Sequence, residues 1–535
     1  VARVLTNNTG LRVAIESSVG VLPAEPTWSI VEYNNITAFG AVITTVQRRP
    51  ISQDRGRRKG VVTDLDSSVE YETDITLEAL ILFGEGFMFA EYSNVEFELR
   101  ETYGVPAVPR PPRVDGTTED FDIDAATALL AGKVQWVTAS YSTLIWTKGY
   151  TNAANNGLHE LSADLGLAGV AVEVTSNLVT EVTPPANAIC RVAGVRVMND
   201  ADLTLTVTGP TATLVSAAAI ANWATLGLTP GQYIHIGSTS TTGALQFGLG
   251  ALGVGSFGYA RITSIAGATI NLDKLSPTLI SAVGGAGLNQ DVIFGRFLRN
   301  VPTTADLDDE RYLERTYQFE ASFPDLGGVG TPEYEYAIGN FANELTFNLP
   351  LTALATGSIG FVGTNSDPIT GVRKNNAEEA LAPLLTNAFS SSANLASITT
   401  DVIAAVSDVC FKNLTLTLLN NVSPEKCLGT LGATFVNAGL FQADIEGQML
   451  FTSAAIVNAI RNNTTVTLAW ILENEDGGVV FDIPAMTLSG GGREFPVDQS
   501  VLVNITGASF TSNFFGYDIG ISFFDAVPGA LALSS

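Results

Sequence analysis

Three carboxylates stand at alternate positions of "VEYETDI": Glu70, Glu72 and Asp74, interleaved with Val69, Tyr71, Thr73 and Ile75. On a strand this spacing places the acids on one face and mostly apolar groups on the other. A later stretch, "FQADIE", repeats the device, with Asp444 and Glu446 alternating against Phe441, Ala443 and Ile445. Like charges side by side on a sheet cost stability. Such a face is therefore either a solvated exterior or the lining of something negatively charged. Acid–base catalysis would need two of these groups set apart by position and surroundings. The sequence singles out no such pair, and an enzyme ranks last among the readings.

The opposite charge is gathered in one place. "RRPISQDRGRRKG" holds Arg48, Arg49, Arg55, Arg57, Arg58 and Lys59, in a chain of 27 Lys+Arg against 54 Asp+Glu and a formal charge of -27. So acidic a chain is poorly suited to hold a phosphate backbone tightly. The loop reads instead as a grip on another copy of the same acidic protein, and Lys426 occupies the matching place in a second copy of the motif.

Other chemistry-bearing residues lead nowhere. Gly248, Gly250, Gly253, Gly255 and Gly258 contain two overlapping G-x-G-x-x-G patterns. A dinucleotide site needs a helix after the glycines, whereas "YARITSIAGATINLD" alternates as a strand, so a hairpin loop is expected. His159 and His235 are too few for metal or acid–base work, and His235 in "YIHIG" reads as a half-buried structural residue. Cys190, Cys410 and Cys427 lack C-x-x-C spacing. No metal and no cofactor is expected. The odd cysteine count suggests a reducing place of folding, and the N-terminus reads as lacking a signal peptide. "LEALILFGEGFMFA" is too short, and too interrupted by Glu78 and Glu85, to span a membrane.

The elements that must position these residues are mostly strands. Val, Thr, Ile and Phe alternate between Gly, Asn and Pro, as in Leu203–Gly209, Ala260–Asp273 and Asn413–Asn421. Helices are expected at Asn376–Phe389, at Ser453–Asn462 and toward the end of Asp120–Gly132. At 535 residues the chain should hold two to four domains.

Two internal repeats organise it. The segment from Pro50 matches the one from Asn421: Ser52 with Ser423, Arg55 with Lys426, Tyr71 with Phe441, Asp74-Ile75 with Asp444-Ile445. More weakly, Leu144–Glu173 resembles Tyr233–Asp273. The expected organisation is a mainly β chain of two related sandwich halves, 1–132 and 289–535, with small β-barrel modules inserted at 133–190 and 195–288 and a few flanking helices.

Several stretches, in order, resemble the tail tube (major tail) proteins of long, non-contractile-tailed bacteriophages. They are "VQRRPISQDRGRRKGVVTDLDSSVEYETDIT", "GYTNAANNG" with "LVTEVTPPANAICRVAGVR", "WATLGLTPGQYIHIG…GYARITSIAGATINLDK", "DVIFGRFLRNVP" with "YEYAIGNFANELTFNLPL", and "CFKNLTLTLLNNVSPEKCLGTLG". The resemblance implies β-sandwiches joined side by side into rings, trimeric and pseudo-hexameric where the tube domain is duplicated. The rings stack into a hollow tail that double-stranded DNA crosses without specific binding. Implied partners are further copies of the chain, a tape-measure protein, and tail terminator and distal tail proteins, with no membrane. The implied location is the virion tail, assembled in the bacterial host cytoplasm. The basic loop falls where the family's inter-ring loop would lie. Glu70, Glu72, Asp74, Asp444 and Glu446 become candidates for the wall of the bore. A secreted or surface β-rich adhesin with tandem modules is the alternative.

Overall fold

The computed structural model describes residues 5, 8–48, 51, 58–93, 98–103, 108–123, 141–162, 171–197, 203–216, 219–237, 256–283, 290–300, 312–374, 380–400 and 410–526. Twelve strands and two helices build two halves on one plan. The first half has β1 (Gly10–Ile15), β2 (Asn35–Gln47), β3 (Gly60–Asp74), α1 (Leu77–Met88), β4 (Thr316–Phe323), β5 (Glu333–Leu349) and β6 (Thr356–Gly363). The second has β7 (Leu395–Thr400), β8 (Phe411–Leu419), β9 (Gln442–Leu450), α2 (Ala454–Arg461), β10 (Thr465–Asn474), β11 (Gly477–Glu494) and β12 (Leu502–Ser509). In space the first half runs β1-β4-β5-β6-β3-β2, and the second runs β7-β10-β11-β12-β9-β8, every pairing antiparallel. Even the irregularities recur. A register shift at Tyr317/Phe319 against β5 is repeated at Val466/Leu468 against β11.

The halves are sewn into one sheet by β5 and β8, which pair from Glu344↔Leu419 to Leu349↔Leu414. One apolar core runs beneath both. In the first half Phe83 of α1 packs among Tyr71, Tyr317, Phe319 and Phe361, with ring centroids 5.4–6.5 Å apart. In the second, Trp470 stacks on Phe481 at 5.0 Å, and Ile456 and Ala459 of α2 close the same cluster.

α1 begins where Thr76 accepts a hydrogen bond from the Ala79 N–H, and ends at Phe89 in a left-handed conformation. Its two glycines permit close packing. A Cβ on Gly84 would lie 2.8 Å from the Tyr92 hydroxyl, and one on Gly86 would lie 2.7 Å from the Tyr317 ring. The expected helix at Ser453–Asn462 is present as α2, capped by the Ser453 hydroxyl. The one expected at Asn376–Phe389 is not helical over its described part, 380–389. Pro383 has no N–H to donate there, and the Leu381 N–H is bonded to the Trp28 carbonyl at 2.8 Å. Asp120–Asp122 is a strand, and the rest of that expected helix lies outside the described residues.

Inserted in the first half, between α1 and β4, is a ten-stranded sheet drawn from residues 141–293. The sequence suggested two inserted modules, but strands from both intervals share this sheet, because Ile189–Val197 pairs with Tyr141–Lys148 on one side and Gln290–Ile293 on the other. The weaker repeat holds for two strands of three: Ala171–Glu173 pairs in a separate three-stranded sheet. Gly258 opens the strand Gly258–Ala266, in line with the strand reading; the rest of the glycine pattern lies outside the described residues.

The insert is locked to the second half through buried polar groups. The Arg261 guanidinium forks between Asp273 and Asp482, at 2.7 and 3.0 Å, and Arg191 reaches Asp525 at 2.7 Å. The Tyr259 hydroxyl donates to Glu473 at 2.6 Å, and Lys148 pairs with Asp476.

Candidate functional site

The alternation in "VEYETDI" is realised in β3: Val69, Tyr71 and Thr73 are buried, Glu70 and Glu72 are exposed, and Asp74 is half-buried. β9 repeats it, with Ala443 and Ile445 buried and Asp444 and Glu446 exposed. Apolar residues under each strand fix its register, because a slip of one residue would turn the acids into the core.

Pairing across the sheet brings the two acidic strands onto one face. Glu72 lies opposite Ser358, which lies opposite Thr346, then Thr417, then Asp444. The parallel row runs Asp74, Thr356, Asn348, Thr415, Glu446, Thr506. A third runs Glu70, Gly360, Glu344, Leu419, Gln442. Glu72 and Asp444 are thus four strands apart, about 19 Å. These rows contain six carboxylates, mostly small or polar groups beside the single leucine Leu419, and no lysine or arginine. Glu344, exposed on β5, is the member that sequence reasoning missed. Its strand alternates only after a register shift between Ala342 and Glu344, which hides the period.

Burial holds the Asp444 carboxyl above the usual aspartate range, and the neighbouring Glu446 adds to the effect. The folded state therefore disfavours the charged form. The resulting cost is present above the folded pKa and disappears below the unfolded one. Asp444→Asn should raise the thermal midpoint slightly at pH 7, a gain that vanishes on acidification below the ordinary aspartate range. Circular dichroism melts across that range check it.

β2 and β3 continue past the sheet as a two-stranded ribbon. β3 last meets β6 at Ser67↔Gly363, while its pairing with β2 runs on to Gln47↔Gly60. The ribbon projects about 20 Å. Val42, Ile43, Val46, Val61 and Val62 are exposed along it. Arg48, Arg58 and Lys59 are exposed at its far end, whereas Arg49, Arg55 and Arg57 lie outside the described residues. Lys426 does not sit free beside them. Its ammonium contacts Asp64 and Asp66 on the chain's own β3, at 2.7 and 2.6 Å.

Neither histidine is placed for acid–base chemistry. His159 is buried between the Thr147 and Ser176 hydroxyls, each at 3.0 Å. His235 is buried rather than half-buried, and desolvation pushes its pKa down to about 4. Among the described residues no cluster of three or more His, Cys, Asp or Glu could hold a metal ion, and no helix is long and apolar enough to cross a membrane.

What remains is a broad anionic sheet face, an arm with a cationic end and, among the described residues, edges of β2 and β11 with no strand beside them, which is equipment for assembly. No curated protein matches the chain. Residues 6–508 match the family model described as phage tail tube protein, and the chain belongs to that family, whose members are structural proteins of the virion tail.

Proposed function

We propose that three copies close side by side into a ring, that rings stack into the tube of a long, non-contractile tail, and that double-stranded DNA leaves through a bore walled by the acidic face. The observation that carries this reading is the single anionic face assembled from both halves.

Edge geometry supplies the closure. β5 gives its 344–349 edge to β8. The equivalent edge of β11, beyond Thr487↔Thr465, has no strand beside it among the described residues, and neither has the outer edge of β2. Pairing β11 of one copy with β2 of the next repeats the internal joint and leaves no open edge in the wall of the bore. Each copy supplies eight wall strands, β2-β3-β6-β5-β8-β9-β12-β11. Three copies give a circumference near 115 Å and a diameter of about 37 Å before strand tilt, which leaves room for a helix about 20 Å wide after side chains are subtracted. Two copies would leave about 15 Å, too narrow.

The bore must repel phosphates, since a cationic wall would bind them. Glu70, Glu72, Asp74, Glu344, Asp444 and Glu446 form that wall. Arg48, Arg58 and Lys59, with Arg49, Arg55 and Arg57 in the same loop, face the acidic surface of the adjoining ring. There complementary charge sets register more than affinity. Tape-measure, terminator and distal tail proteins would meet the bore and the two ends. Electron microscopy of the purified protein tests the reading: rings or tubes are expected, and monodisperse single chains at high concentration would refute it.

A further inference from the structure

The joint between the halves contains a contact that has no counterpart on the second half. Thr364 directly follows β6, and its N–H bonds the Ile338 carbonyl at 3.0 Å. Phe510 directly follows β12, and its N–H bonds the Ala485 carbonyl at 3.1 Å, so the two residues hold the same place in the two halves.

Over Thr364 lies the β8–β9 connection of the second half. The Ala433 N–H donates to the Thr364 carbonyl at 3.2 Å, and Val436 packs with Phe89 and Phe341. Lys426 reaches Asp64 and Asp66, while the Asn420 amide bonds the Phe87 and Ala342 carbonyls at 3.0 and 2.9 Å. One half thus clasps the top of its neighbour. Phe510, by contrast, is 39% exposed, and Phe514 close by is 70% exposed.

The segment that corresponds to the clasp is the β2–β3 ribbon, because both are the hairpin connection of their half. The repeat that matches Arg55 with Lys426 also matches Val62 with Ala433. The ribbon's apolar residues are exposed, as a surface waiting for a partner would be.

We propose that the root of this ribbon clasps the next copy in the same ring, with Val62 seated beside Phe510 and Ile43 on the adjoining Phe514 surface. The occupant is a second copy of the chain, and the internal joint is the template. The inference rests on the tube reading and refines it: the arm is first a lateral fastener, and only its basic end is left for the adjoining ring.

A designed disulfide tests it. Val62→Cys and Phe510→Cys are combined in a Cys410→Ser, Cys427→Ser background, leaving the buried Cys190. Tubes are oxidised and run on a non-reducing gel. The expected product is a ladder of linked chains that stops at three. Tubes that stay unlinked would overturn the clasp, as would a ladder continuing beyond the ring, which would place the contact between rings. Absence of tubes from the unmodified protein would instead sink the tube reading itself. Should the double variant fail to assemble, Val62→Cys alone gives the answer. Its thiol should label at least about tenfold more slowly in tubes than in free chains, and an unchanged rate would overturn the proposal.

Discussion

Replacing Glu72 and Asp444 together by lysine is expected to leave tails of normal number and length while slowing DNA release at least about tenfold. Both side chains point away from the core, and substitutions at such positions usually change stability by no more than about 0.5 kcal/mol. Assembly should therefore survive. Passage should not, because two repulsive groups in one row become two that bind phosphate, and the change recurs in every chain of every ring. Cation–phosphate attraction falls steeply with salt, so release should recover as ionic strength rises. Particle counts by electron microscopy and release followed with an intercalating dye measure the two effects. Unchanged release at low salt would show that this face does not line the path.

The second large effect is structural. Asp482→Ala should cost about 3–5 kcal/mol, since it strips one carboxylate from a buried guanidinium that cannot lose its charge. Asp482 lies on β11 and Arg261 in the insert, so the loss should appear as early melting and protease sensitivity of the inserted sheet. Glu473→Gln is the milder control. An amide oxygen can still accept from the Tyr259 hydroxyl, and the change should stay within about 1.5 kcal/mol. Equal effects from the two variants would mean that the insert is held chiefly by apolar packing around Tyr233, Tyr259 and Phe524.

The legible parts of the sequence are those governed by local period. Glu70, Glu72 and Asp74 alternate against Val69, Tyr71 and Thr73, and the strand that results has that burial pattern. The match between Asp74-Ile75 and Asp444-Ile445 suggested halves at 1–132 and 289–535, but residues 316–363 pair with strands of the first half, and Asp74 ends its strand whereas Asp444 is the third residue of its own. What could not be read was long-range pairing. That the two acidic strands share one face depends on β5 meeting β8, a contact between residues more than sixty positions apart. Glu344 was hidden by a register shift, and α1 by Gly84 and Gly86, poor helix formers kept where two tyrosines press close. Lys426 was grouped with the arm by homology of position, yet it closes on Asp64 and Asp66 of its own chain, a pairing visible only once the halves are joined.

The face of the sheet that meets the channel is the central claim, and a cryo-electron microscopic reconstruction of assembled tubes tests it most directly. The expected map shows three chains per ring, with β11 of each chain hydrogen-bonded to β2 of the next and Glu72, Glu344 and Asp444 projecting into the bore. A map in which this face looks outward, or in which arginines of the arm line the channel, would contradict it.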